Sequence, residues 1–312
     1  MMQLTALDPM QMDLLKNIAG IDEFDDNAAF NLRLNGATVM KNVTENVKIA
    51  PKSDKSGIDI YVKAGTKGEN VHIPVILSAS GLKETVFNDF HIGEGADIVI
   101  VAGCGIHACG EEEQEHSGIH SFYLEKNAHV KYVEKHYGNG YAPSKRIMNP
   151  TTFVELGEGS FMEMDTVQLG GVDETERVTT AILGKDARLV ISEKIMTSAE
   201  QIAKTKFTVD LNGDGSSAHV MSRSVAKEKS YQEFISNVRG NALCKAHTEC
   251  DAIVMDNAKV LSSPIVVANC VDAELVHEAA IGKIAGEQII KLMTLGLSEK
   301  EAEEKIVNGF LK

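Results

Sequence analysis

The 312-residue chain has no tryptophan, and aromatic residues make up only 5% of it. With hydrophobic residues at 43%, its core must be built from Val, Ile, Leu, Ala and Met. The same scarcity counts against a sugar-binding groove, which stacks its ligand on aromatic rings. Positive charge is also in short supply. Lys and Arg number 31 against 45 Asp and Glu, for a net charge of −14. Such a surface repels phosphate, so neither nucleic acid nor an anionic membrane is an expected partner. A basic protein partner stays compatible with it. No run of 18 apolar residues is present to span a bilayer. The opening MMQLTALDPMQMDLL has neither a basic region nor a long apolar stretch, so no secretory leader is expected. Five cysteines, an odd number, point to free thiols in a cytoplasmic protein rather than to a disulfide framework. The sequon Asn42-Val43-Thr44 then carries no glycosylation. Neither GxxxxGK[ST] nor GxGxxG occurs, so any ATP must be bound by another protein.

What the chain does have is a recurring unit. GEGADIVIVAGC begins at Gly93, EKNAHVKYVEKHY at Glu125 and GEGSFMEMDTVQ at Gly157. GKDARLVISEKI follows at Gly184, GDGSSAHVMSRSV at Gly213 and DNAKVLSS at Asp256. Each is a polar turn, a small residue and an alternating run. The small residues are Ala96, Ala128, Ser160, Ala187, Ser217 and Ala258. Their spacing is an imperfect repeat of about thirty residues, in the range of stacked solenoid units. Period-two alternation, as at Phe161 and Glu163 against Met162 and Met164, is a strand signal. Coils of this kind bury Val, Ile and Leu in one continuous core. The competing reading is an antiparallel sandwich joined by hairpins. The single recurring turn-plus-strand unit favours a mainly β fold, a parallel β-helix or solenoid.

Helices are expected at both ends. Residues 10–19, after Pro9, read as a short helix. From about Glu278 to Leu295, Ile281, Ile284, Ile289, Leu292 and Met293 recur at helical spacing. Gly296 is a natural C′ terminator. Ser298-Glu299-Lys300-Glu301 is a capping box that opens a second helix running to Asn308. The expected organisation is therefore an N-terminal helical segment (1–30), a β-helix (31–275) and C-terminal helices (276–312).

Chemistry-bearing side chains fall into two groups. The first is Cys250, in the strand-like run AHTECDAIVMD, together with His277-Glu278. Thiolate, imidazole and carboxylate together could hold iron, zinc or copper. Each residue also has a bland reading. Cys250 and Cys244, equal in parity, could be small buried hydrophobes. Glu278 could be a first-turn helix acid. The second group is AGCGIHACGEEEQEHSGIHSF, with Cys104, His107, Cys109, His116 and His120. Its spacing does not match usual zinc knuckles. Cys104 between Gly103 and Gly105 could instead be a reactive thiol at a strand end. That needs a lowered thiol pKa, for which His107 is the nearest cause in sequence. The histidines otherwise read as surface residues beside an acidic loop.

At these residues the chain resembles the SufB/SufD family of SUF iron–sulfur cluster assembly proteins. The resemblance runs over about residues 85–312. It is strongest from Arg239-Gly240 through the Cys250-Asp251 strand, the segment from His277 to Gln288, and LGLSEKEAEEKIVNGF. GEGADIVIVAGC and HVKYVEKHY match as well. The chain resembles the compact SufB-type subunits of minimal systems. The resemblance implies a right-handed parallel β-helix flanked by helices. It further implies that Cys250 is the main cluster-site cysteine, Glu278 the glutamate of the "HEA" segment, and His277 the position where a SufD-like partner offers a histidine. Cys104 would be the cysteine that receives sulfur. The helical tail, with Ile284, Ile289, Leu292, Met293 and Phe310, would dock a SufC-type ABC ATPase. Many SufB proteins carry another glutamate where this chain has Val276, with Glu274 nearby as a substitute. His277 and Glu278 in one chain suit a homodimer in place of a SufB/SufD pair. Cys244, Cys109 and Cys270 have no role in the resemblance.

The leading reading is thus a non-enzymatic scaffold. It would receive sulfur from a donor, assemble a transient iron–sulfur cluster and pass it to apoproteins. One alternative is a zinc-stabilised interaction protein using Cys104, His107, Cys109 and His116. The other is a solenoid acting on polysaccharide.

Overall fold

The computed structural model describes residues 7–20, 27–140 and 143–312. Within the N-terminal segment 1–30, residues 1–6 and 21–26 lie outside the described set. In chain order the elements are α1 (Pro9–Ala19), β1 (Ala29–Leu34), β2 (Ala37–Asn42), β3 (Val47–Pro51), β4 (Gly57–Val62), β5 (Lys67–Leu77), β6 (Lys83–Ile92), β7 (Asp97–Ala108), β8 (Gln114–Leu124) and β9 (His129–Gly140). They continue with β10 (Arg146–Met148), β11 (Thr151–Leu156), β12 (Phe161–Gln168), β13 (Glu174–Leu183), β14 (Arg188–Thr197), β15 (Ile202–Leu211), β16 (Ser217–Ala226), β17 (Tyr231–Gly240), β18 (Lys245–Val254), β19 (Lys259–Ala268) and β20 (Glu274–Gly282). Helices α2 (Gly286–Thr294) and α3 (Glu299–Phe310) close the chain.

The strands form two sheets that face each other. One runs β2-β1-β5-β7-β9-β12-β14-β16-β18-β20, the other β19-β17-β15-β13-β10-β8-β6-β4-β3. The chain alternates between them, and each strand pairs in parallel with the one a coil earlier. This is a β-solenoid, as the repeat implied. Among the described residues antiparallel pairing is confined to β1–β2 and β3–β4, at the N-terminal end, so the sandwich reading fails. The coil that follows Ser217 aligns it with Lys245. Ala258 belongs to the opposite series of turns, leading into β19, which is one source of the imperfection in the repeat.

Turns stack as the strands do. Gly95 N donates to Lys126 O, Asn127 N to Glu158 O, and Asp186 N to Asp214 O, at 2.8–2.9 Å. Their third residues take left-handed φ: 55° at Asn127, 54° at Asp186 and 76° at Gly215. Asn, Asp and Gly tolerate that region best. Inside, alternate residues of each strand bury Ile98, Ile100, Val130, Met162, Leu189, Ile191 and Val220 in one core. Phe90 stacks on Phe122 with centroids 4.3 Å apart.

Helix α1 is capped by Asp8, with a capping box to Gln11. Its Leu14, Leu15 and Ile18 are fully buried. They pack with Phe30, Leu32 and Ile76. The helix lies so close to β7 that a Cβ at Gly103 would stand 2.9 Å from Ile18, and one at Gly105 would stand 3.2 Å from Leu14. The glycines beside Cys104 are therefore the floor for this helix, not a bend at a strand end.

At the other end the structure corrects the expected helix start. Strand β20 carries His277 and Glu278 and runs to Gly282; helix begins only at Gly286. Gly296, at φ 94°, follows α2, and the Ser298 capping box starts α3 as expected. Ile284, with Val307, Phe310 and Leu311 at the end of the chain, packs in one cluster with Val225 of the solenoid.

Candidate functional site

Parallel register sorts the candidates by face. In β18, Ala246, Thr248, Cys250 and Ala252 point inward, and His247 and Glu249 point outward. Strand β20 pairs Thr248 with His277, Glu249 with Glu278 and Cys250 with Ala279. His277 therefore shares the inward face with Cys250, and Glu278 lies on the outside with Glu249. The three residues grouped in the sequence are divided by the sheet. The expected first-turn helix acid at Glu278 is instead a strand residue.

Cys250 is 2% exposed. Burial pushes its thiol up, and the Ser262 hydroxyl partly offsets that. Thr248 Oγ1 lies 2.6 Å from His277 Nδ1, which leaves Nε2 without a partner among the described residues. Burial, then the neighbouring His247, lowers the His277 pKa. A held Nδ1 with a free Nε2 is the arrangement of a ligating histidine, whose second nitrogen is fixed by a neighbour. Cys244 is buried in the main core. Glu274 is exposed and paired with Lys245 at 2.8 Å.

Cys104 is also 2% exposed and points into the solenoid. Burial, with Glu84 and Glu134 nearby, raises its thiol pKa well above the usual value. The anticipated activation by His107 is absent. His107 has the opposite parity and its Nδ1 bonds Asn139 Oδ1 at 2.8 Å. Cys109 donates its thiol to Ser78 O at 2.9 Å. His116, buried rather than on the surface, has its Nδ1 3.2 Å from a Glu84 oxygen. Of the four zinc candidates, His107 and Cys109 are thus held by partners of their own, and only Cys104 and His116 face the same interior space. Among the described residues no three His, Cys, Asp or Glu side chains are gathered around a common metal position.

The interior holds residues that the sequence reading missed. Asn88 Nδ2 lies 3.3 Å from His120 Nε2, and His120 Nδ1 lies 2.8 Å from the Tyr132 hydroxyl. Tyr132 donates to Glu134 Oε1 at 3.1 Å. Arg177, from the opposite sheet, donates to Glu134 and stands 3.6 Å from Glu193 and 3.4 Å from His136. Thr205 and Ser222 donate to the two oxygens of Glu193 at 3.0 and 2.9 Å. Burial would raise Glu134, but Arg177 and His136 hold it well below the carboxylate range. Burial wins at Glu193, whose pKa rises despite Arg177.

These groups follow the ladder. Glu134, Thr166, Glu193, Ser222 and Cys250 are successive register partners across β9, β12, β14, β16 and β18. Cys104 partners His136 in the adjacent row. A polar row therefore runs inside the solenoid from the Cys104 region to Cys250. The two cysteine strands are five strand spacings apart, about 24 Å. A cavity of about 20 Å³, room for one water, touches Cys104, His116, His120, Glu134 and His136. A smaller one touches Glu193, Ser222 and Cys250. The signal that could have revealed this row is charge on the buried parity, as in HVKYVEKHY, where Val130 and Tyr132 are followed by Glu134 and His136.

The terminal coil is open. Leu261, Ile265, Val266, Val276 and Ile281 of β19 and β20 are all more than 40% exposed. On α2, Ile290 and Met293 are exposed, and Ile289 and Leu292 are half-buried. No helix among the described residues is long and apolar enough to cross a membrane.

Residues 79–310 match the family described as SUF system FeS cluster assembly, SufBD core domain. An iron–sulfur cluster assembly SufBD family protein of Methanocaldococcus jannaschii is 30% identical over 255 residues, covering 81% of this chain and 79% of that protein. One from Archaeoglobus fulgidus is 28% identical, over 87% of this chain and 72% of its own length. One from Methanothermobacter thermautotrophicus is 29% identical over 73% of this chain, which spans only 55% of that longer relative. The solenoid and these matches agree: the chain belongs to the SufBD family of iron–sulfur cluster assembly proteins.

Proposed function

We propose that this chain is a non-enzymatic cytoplasmic scaffold on which iron and sulfide, as substrates, are assembled into a transient cluster. The observation that carries the reading is the shared inward face of Cys250 and His277 on the last two strands of one sheet. A thiol and an imidazole with a free Nε2 form a soft and borderline donor pair suited to iron. Two donors do not complete a coordination sphere. The open terminal coil, with its exposed Leu261, Ile265 and Val276, supports a second copy as the source of the others. The homodimer would then place two half-sites against each other.

Sulfur would arrive from a donor at Cys104 and pass along the interior polar row. Arg177 lies midway and offers a fixed positive charge to an anionic sulfur species. The helices α2 and α3 would dock a SufC-type ABC ATPase, whose cycle opens the dimer and releases the cluster to apoproteins. Anaerobic reconstitution with iron and sulfide tests this. Cluster absorbance should form in the wild-type chain and be lost in Cys250→Ser and His277→Ala. An undiminished spectrum in both variants would refute the site.

A further inference from the structure

Cys104 becomes a nucleophile only when its thiol loses a proton. Burial opposes that loss, and so do Glu84 and Glu134 nearby. A base must therefore face the thiol, and His107, on the opposite parity, does not. Three imidazoles line the cavity beside Cys104: His116, His120 and His136. Two of them have both nitrogens engaged. His120 lies between Asn88 and the Tyr132 hydroxyl, at 3.3 and 2.8 Å. His136 lies between Arg177 and Glu134, at 3.4 and 3.5 Å.

His116 differs. It comes from the sheet opposite Cys104. Cys104 shares an apolar cluster with Met148, the register partner of His116 in β10. The one side-chain hydrogen bond of His116 among the described residues joins its Nδ1 to Glu84 Oε1 at 3.2 Å. Burial would raise the Glu84 pKa, but His116 and Arg33, the latter 3.1 Å away, hold it below the usual value. An ionised carboxylate only accepts, so Nδ1 carries the proton of the neutral ring and the lone pair is at Nε2. Gly118 keeps the space before that lone pair open. A Cβ there would stand 3.4 Å from His116 Nε2 and 3.2 Å from His120 Nε2. Gly118, His116 and Cys104 line the cavity together. It has room for one water, and a base can act through one water. A nucleophile, a base and a third group that orients the base are the parts of an activated thiol.

We propose that His116 is the general base for Cys104, with Glu84 as its positioning residue. The proposal deepens the reading of Cys104 as sulfur acceptor and rests on it for the substrate, a persulfide R–S–SH. Cys104 Sγ attacks the outer sulfur, and a new S–S bond forms as the donor's S–S bond breaks. The thiol proton passes to His116 Nε2 and on to the departing thiolate. The products are a Cys104 persulfide and RSH, with no net oxidation.

Two readouts on the full chain separate the base from its substrate. The first is alkylation of Cys104 by iodoacetamide at mildly alkaline pH, relative to Cys250 in the same molecules. His116→Gln, whose amide can still donate to Glu84, should lower that ratio about 100-fold, the low end of general-base catalysis. Glu84→Gln and Gly118→Ala should lower it as well. Loosening of the solenoid would expose Cys104 and raise its labelling, so a fall is not the mark of a merely structural role. If His116→Gln loosens the chain and both thiols label faster, Gly118→Ala decides, since it leaves every charge in place. The second readout is sulfur loading of Cys104 from glutathione persulfide, followed by peptide mass spectrometry, which should slow in step. An undiminished ratio in a folded His116→Gln chain, or in Gly118→Ala, would overturn His116 as the base. A His116-dependent ratio with no loading of wild-type Cys104 would uphold the base and refute the sulfur-acceptor reading.

Discussion

Arg177 donates to Glu134 across the inside of the solenoid, joining one sheet to the other through an ion pair in which both side chains are under 5% exposed. Desolvation opposes both charges. Three further groups make the arrangement tolerable: His136 and Tyr132 bond Glu134, and Glu193 takes the other side of the guanidinium. Breaking such a pair leaves an uncompensated buried charge and costs about 3–5 kcal/mol. Arg177→Ala should therefore lower the urea midpoint strongly without changing the slope. The volume-matched pair Arg177→Met with Glu134→Gln should lose much less. Equal losses in the two variants would mean that packing, not charge, is what matters there.

The same interior sets an acid limit on stability. Burial lowers the His120 pKa from 6.5 to about 4. The unfolded chain then binds a proton between these values that the folded one does not, so stability falls as pH drops from 6.5 and levels off below about 4. Two and a half units correspond to about 3 kcal/mol. Glu84 and Glu134 are shifted the other way from their environment's desolvation, to below 4.5. Their contribution is present above 4.5 and is lost as pH falls through their folded values. Urea denaturation at a series of pH values should show a slope between pH 6.5 and 4 that flattens in His120→Gln. An identical slope in the variant would remove His120 as its source.

Thiol labelling should separate the cysteines by face. Cys104 and Cys250 are buried, with raised pKa values, and thiolate is the reactive form. Cys109 and Cys270 are partly exposed. Iodoacetamide near pH 8, read by peptide mass spectrometry, should modify Cys109 and Cys270 well before Cys104 and Cys250. Early labelling of Cys104 would show that a sulfur donor meets a ready nucleophile. Slow labelling would mean that the donor must first shift α1 or open the coil.

The contrast between Cys104 and Cys250 also shows what was legible. Period-two alternation and the thirty-residue spacing announced a solenoid, because each coil repeats the same local burial problem. The equal parity of Cys244 and Cys250 placed both on one face. Parity within a strand says nothing about register between strands. That is why Glu278 could be grouped with Cys250 although the sheet lies between them, and why His277 could be put at a helix start. Gly103 and Gly105 looked like a bend because the sequence does not show that α1 returns to lie on them. Arg177 and Glu193 were passed over because they sit on consecutive strands of opposite sheets and meet only across the interior.

The C-terminal segment offers the last test, since its apolar residues divide into two sets. Ile284 and Phe310 pack with Val225 of the solenoid and Val307 of α3, so a charge there removes internal contacts. Ile290 and Met293 are 62% and 43% exposed and make no comparable contribution to the fold. If these helices dock an ATPase, the double change Ile290→Asp with Met293→Asp should abolish co-purification with a SufC-type partner and leave melting unchanged. Ile284→Asp should instead lower the melting temperature, because a buried unpaired charge is costly. Retained co-purification of the Ile290/Met293 variant would move the docking surface away from α2, to α3 or to the exposed strands of the terminal coil.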